Sequence, residues 1–139
     1  MLLCDAAESV NGKLYILGGG WSQILFPDRP ANMSLAVKIS VPWDQSNEPH
    51  RVTATLHDGD GNPVELPGGP DDELIPVRNE LEFETGRPPG LMPGTELDAP
   101  LVFNFQGVPL PAGGYVWILE IDGQPMARAP FRVGPPQRR

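Results

Sequence analysis

Asp58, Asp60 and Asn62 stand at alternating positions in the segment DGDGNP. Three oxygen donors at that spacing can wrap a calcium ion. A complete calcium loop would add Gly at its sixth position and Glu at its twelfth. Those positions hold Pro63 and Gly69. Asp, Asn and Gly are also the residues that build tight hairpin turns, so a turn without a metal is expected here. A second acidic group, Asp71, Asp72 and Glu73, precedes Glu80, Glu82 and Glu84. The glutamates alternate with Leu81 and Phe83, which a half-buried strand explains without a cation. An acidic strand face also deters pairing between sheet edges.

The nucleophile and zinc repertoire is short. His50 and His57 are the two histidines and Cys4 the single cysteine. Zinc sites gather several His, Cys and carboxylate ligands at tight spacings, and these three residues form no such set. Cys4 ends the apolar run Met1–Cys4, where an inert buried thiol is expected rather than a nucleophile paired with His50 or His57. No serine lies in a nucleophile elbow. Gly18-Gly19-Gly20 lacks the lysine and following helix of a phosphate loop. The expectation is a non-enzyme without cofactor or metal.

Trp21 and Trp43 are the candidate ligand-binding residues. Each stands where an apolar run meets a Gly or Pro break. Aromatic rings at the ends of a β-sandwich can line a groove for a sugar or peptide. The alternative is that they plug the ends of the core, the indole N–H bonded to a backbone acceptor. Trp117, mid-run among apolar residues, reads as core.

These residues need a scaffold of strands. Leu35, Val37, Ile39 and Val41 alternate with small or polar residues up to Pro42, as Val52, Ala54 and Leu56 do further on. Leu101, Phe103 and Phe105 make a similar set. Tyr115, Trp117, Leu119 and Ile121 have Val116 and Ile118 on the opposite face, which places that strand centrally. Asn11-Gly12 and Asp122-Gly123 are type I′ hairpin signals. The three glycines at 18–20 are expected to bend the chain, so that Trp21–Phe26 runs on toward a second sheet. Pro130 suggests an edge position or a bulge in the run Met126–Val133. Residues 67–78 and 86–100 read as two long Pro/Gly-rich loops. No window supports an amphipathic helix. The fold expected is an all-β antiparallel sandwich, immunoglobulin-like or of related topology, over residues 1–133, with a flexible tail at 134–139.

The chain has 139 residues, a length suited to one domain. Its formal net charge is −8, with Lys13 and Lys38 the two lysines and Arg138-Arg139 a short basic end. Such a chain repels a phosphate backbone, so nucleic acid is not an expected partner. A single cysteine excludes an internal disulfide. No leader pattern and no apolar run of membrane-spanning length occurs, so a cytoplasmic location without membrane attachment is expected.

The stretches LLCDAAESVNGKLYILGGGW, LAVKISVPWD and PLVFNFQGVPLPAGGYVWILEIDG resemble a group of uncharacterised bacterial proteins, frequent in actinobacteria, catalogued as a domain of unknown function. The resemblance covers nearly the whole chain and implies a bacterial, intracellular, stand-alone domain. It carries no catalytic residue across. The functional expectation is a sandwich that binds a protein partner or itself. A small-ligand binder using Trp21 and Trp43 is the alternative, and a hydrolase with an unrecognised site ranks last.

Overall fold

The computed structural model describes residues 1–25 and 30–135. Among the described residues there are eleven strands in chain order: β1 (Leu2–Val10), β2 (Lys13–Gly19), β3 (Gln23–Ile24), β4 (Ala31–Val41), β5 (Pro49–Asp58), β6 (Glu65–Pro67), β7 (Leu74–Pro76), β8 (Arg78–Glu84), β9 (Leu97–Val108), β10 (Gly113–Ile121) and β11 (Gln124–Val133). Short 3-10 turns occur at Trp43–Gln45 and Pro70–Asp72. One sheet has the order β2-β1-β4-β9, the other β3-β11-β10-β5-β8, and β6 with β7 forms a small ribbon.

The alternating residues meet between the two sheets. Leu35 pairs with Phe103 and Val37 with Leu101 on one side, and Trp117 pairs with Leu56 and Leu119 with Ala54 on the other. Phe105 of the first sheet stacks on Trp117 of the second, with ring centroids 4.2 Å apart. Trp117 is 0% exposed, and its indole N–H points at the Met33 sulfur, 3.3 Å away. β10 is central, paired with β11 on one side and β5 on the other. The expected sandwich and the expected core strand are both present.

The turn chemistry is also as read. Asn11 and Gly12 both have positive φ, as do Asp122 and Gly123, which lets each pair close a hairpin. Gly18 and Gly20 have positive φ as well, and after them the chain leaves the first sheet and enters the second as β3. Asp58 accepts the backbone N–H groups of Asp60 and Asn62 at 2.9 and 3.0 Å, so its carboxylate closes its own turn. Pro130 faces Val116 on one side of β11, while β3 reaches only Arg132 and Val133 on the other.

Several expectations need correction. Apolar at every position, the run Met1–Cys4 suits a strand buried on both faces, but β1 runs from Leu2 to Val10 and Leu2 is exposed although Leu3 and Cys4 are buried. Residues 67–78 are not a plain loop: Leu66 pairs with Ile75 in the β6–β7 ribbon. The second loop ends at Glu96, because Leu97–Pro100 pair with Lys38–Val41. Pro100 lacks a donor but sits on an edge strand, where none is needed. Gly134, assigned to the tail, donates to the Ile24 carbonyl at 2.8 Å. Phe26, Arg138 and Arg139 lie outside the described residues.

Candidate interaction edge

The first hairpin departs from the rest of the fold. β1 pairs with β4 only at Leu2, Leu3 and Cys4. It then touches β9, although β4 separates those two strands in the sheet. The Ser9 hydroxyl reaches the Pro100 carbonyl at 3.2 Å. β1 has therefore left the sheet plane and carries β2 across its outer surface. That crossing explains why Cys4, Ser34 and Ala36 are buried, though their register turns them away from the core between the sheets.

Little covers the hairpin in return. Tyr15 is 57% exposed and Leu17 71% exposed, and Val10, Ile16 and Leu2 are exposed too. Side chains on both faces of β2 are apolar, and beyond Lys13 the strand carries no charge and no proline. Among the described residues β2 is hydrogen-bonded to β1 alone, so the peptide groups on its other side have no partner strand there. Isolated two-stranded hairpins are marginal in water, and apolar edges invite pairing.

Among the described residues the other edge strands of the two large sheets are blunted. β8 carries Glu80, Glu82 and Glu84. β9 has Pro100 and Asp98 along its length and a register irregularity opposite Ala31–Met33. β3 is two residues long. Short strands, prolines, charges and bulges are the usual protections of a sheet edge, and β2 has little beyond the lysine at its start.

Trp21 and Trp43, the sequence candidates, lie at opposite ends of the sandwich and share no groove. Trp21 meets Phe131 edge to face at 6.3 Å, beside Tyr115 at the start of β10. Its indole N–H is buried without the backbone acceptor expected for a plug. Trp43 packs on Val41, Leu97 and Ala99. The Arg87 guanidinium lies 4.4 Å from its ring centre, held by the Ser46 hydroxyl and the Trp43 carbonyl. A cation–π contact thus occupies the Trp43 face that a sugar would stack on.

The titratable candidates are used structurally. Cys4 belongs to the four-stranded sheet and both histidines to the five-stranded one. Burial pushes the Cys4 thiol pKa up, and its S–H points at the Ser34 carbonyl. His50 is 8% exposed, with Nδ1 2.8 Å from Asp122 Oδ2 and Nε2 2.9 Å from the Gln45 carbonyl. Both ring nitrogens face acceptors, an arrangement that favours the doubly protonated ring, which can donate to both. The Gln45 carbonyl, then the Asp122 carboxylate, raise its pKa against the effect of burial. Nothing in the sequence pattern marked this pair, since His50 and Asp122 are 72 residues apart. Among the described residues no three His, Cys, Asp or Glu side chains are grouped to hold a metal. No helix among them is long and apolar enough to cross a membrane.

A family model described as a family of unknown function (DUF6941) matches residues 1–134. The chain belongs to that family. The match spans the exposed hairpin and both sheets, so hairpin and sandwich lie within one family domain. No curated protein and no solved structure matches the chain.

Proposed function

We propose that this chain is a bacterial, cytoplasmic, non-enzymatic interaction domain that associates with a second copy of itself through β2. The observation that carries the reading is the unprotected apolar edge of β2, while among the described residues the other edge strands of the two large sheets are protected. Self-pairing suits this strand. An antiparallel two-fold at Ile16 sets Ile16 opposite its own copy, Tyr15 opposite Leu17 and Leu14 opposite Gly18. Lys13 then faces Gly19, and no like charges meet despite the −8 of the whole chain. Two-fold dimers are the commonest closed assembly, and an antiparallel strand pair is self-complementary by geometry. The net charge argues against nucleic acid as a partner. With Trp43 covered by Arg87 and Trp21 at the far end, no observation favours a ligand groove built from the two tryptophans.

Sedimentation velocity over a concentration series tests the reading. The wild-type chain should sediment as a dimer. The double variant Tyr15→Glu, Leu17→Glu should sediment as a monomer with an unchanged circular dichroism spectrum. A wild-type chain that stays monomeric up to its solubility limit would overturn the proposal.

A further inference from the structure

The outer face of the five-stranded sheet divides into two unlike halves. Toward the Asp122 end, Arg51 and Arg78 both reach the Glu80 carboxylate, at 2.6 and 3.5 Å, and the charges offset one another. Toward the other end lies a cleft of about 630 Å³. Three rows across the strands define it. His57, Val116 and Pro130 are register partners and form the middle row. Thr55, Ile118 and Arg128 form the row on one side. On the other side Arg132 pairs with Gly114, and Gly59 approaches the Gly114 carbonyl. The two glycines supply no side chains, which hollows the sheet surface there, and the Arg132 guanidinium lies over Gly114.

Three observations give this hollow a chemistry. Val116, Ile118 and Pro130 make its floor apolar. Arg128 and Arg132 flank that floor from β11, and among the described residues neither makes an ion pair. His57 Nδ1 is buried at the opposite wall without a hydrogen-bond partner. Unpartnered buried polar atoms are costly, and two neighbouring arginines without an ion pair among the described residues are unexpected on a chain with eighteen acidic residues against ten basic ones. The volume falls in the range of small-molecule sites.

We propose that this cleft binds a small apolar monocarboxylate, its carboxylate held by Arg128 and Arg132 and its apolar body laid on Val116, Ile118 and Pro130. The polarity of the cleft sets the orientation. Asp58 stands at the β5 wall, next to His57, and repels a second anionic group there. The charge of the ligand therefore lies at the β11 side, and a hydrogen-bonding group near its other end would satisfy His57. Arginine suits this role because its fork matches a carboxylate in two parallel bonds. The site is independent of the β2 edge, which belongs to the other sheet.

Octanoate is the probe and octanamide its uncharged twin, titrated into the full chain and followed by amide chemical shifts. Octanoate should shift Gly114, Val116 and the β11 amides, and octanamide should bind about tenfold more weakly or worse, the loss expected when a charge-assisted pair is removed. Arg132→Gln should abolish the preference for the acid while leaving the spectrum otherwise folded, and Arg128→Lys should weaken it less than Arg128→Gln does. Equal binding of acid and amide would overturn the proposal, as would shifts confined to other surfaces or no saturable shift at all. Dimer formation through β2 is read separately by sedimentation, so neither result decides the other.

Discussion

β2 and β8 are both seven-residue strands at the edge of a sheet, each hydrogen-bonded to one antiparallel neighbour. Their side chains divide in opposite ways. In β8, Leu81 and Phe83 pack against the core, while Glu80, Glu82 and Glu84 alternate with them and are exposed. A neighbour approaching that edge meets a row of carboxylates. In β2, Leu14, Tyr15, Ile16 and Leu17 are consecutive, so neighbouring apolar side chains point to opposite faces, and the strand has no core of its own to fill. The same backbone arrangement is closed to pairing in one place and open in the other. The difference lies in period: strict alternation suits a strand with one wet face, and a continuous apolar run suits a strand covered on both.

The comparison would break if the edges owed their behaviour to the core beneath them. Trp117 is the sharpest probe of that, because it joins the two sheets through Phe105. Trp117→Ala removes the largest fully buried side chain and should cost about 3–5 kcal/mol, read from denaturant midpoints at unchanged slope. That is a large part of the roughly 5–15 kcal/mol that holds a domain together. Where the variant is still folded, it should dimerise like the wild type. A core-truncated chain that is folded but monomeric would show that the β2 edge depends on the sandwich interior.

The β8 side also has a clamp that β2 lacks. His50 stands opposite Phe83 in the register and ties the Trp43–Gln45 turn to the Asp122–Gly123 turn. Its raised pKa makes the clamp pH-dependent with a definite sign. A histidine whose folded pKa lies above its unfolded value stabilises fully below the unfolded value, and that contribution is lost as pH rises through the folded one. Asp122 works in the opposite direction. The Arg51 N–H, then His50, lower its pKa, so its contribution is lost as pH falls through that lowered value. His50→Gln should cost about 1–2 kcal/mol on the acid side of the folded His50 pKa and little on the alkaline side. A cost that does not change with pH would remove the imidazolium from the account. Dimerisation should be unaffected at either pH.

The core and the turns were legible in the sequence because each follows from local pattern. Trp117 and Leu119 alternate with their polar or less buried neighbours, and Asn11-Gly12 and Asp122-Gly123 name their own backbone conformation. The hairpin around Asn11-Gly12 was legible from its turn, but the exposure of the run Leu14–Leu17 that follows was not. An apolar run reads the same whether a second sheet or open solvent lies over it, and only the departure of β1 from the sheet plane decides between them. The His50–Asp122 clamp and the Arg128–Arg132 cleft depend on register between distant strands, which local spacing does not encode. Trp21 and Trp43 are not brought together: both stand at strand breaks, but at opposite ends of the sandwich.

The smallest expected change in stability tests the comparison most directly, by exchanging the properties of the two edges. Glu82→Thr and Glu84→Thr replace exposed carboxylates that make no ion pair among the described residues with a β-prone residue. Glu80 stays, because it holds Arg51 and Arg78. Exposed substitutions of this kind should move stability by no more than about 0.5 kcal/mol. Their effect on assembly should be larger. In the wild-type background a chain with two open edges, each pairing about its own two-fold, no longer closes as a dimer and should form longer assemblies that grow with concentration. In the Tyr15→Glu, Leu17→Glu background β8 would be the open edge, and dimers should return. Light scattering separates these outcomes. If the neutralised β8 edge gives neither longer assemblies in the first background nor dimers in the second, charge is not what closes it, and the contrast with β2 must rest on the apolar side chains of the hairpin alone.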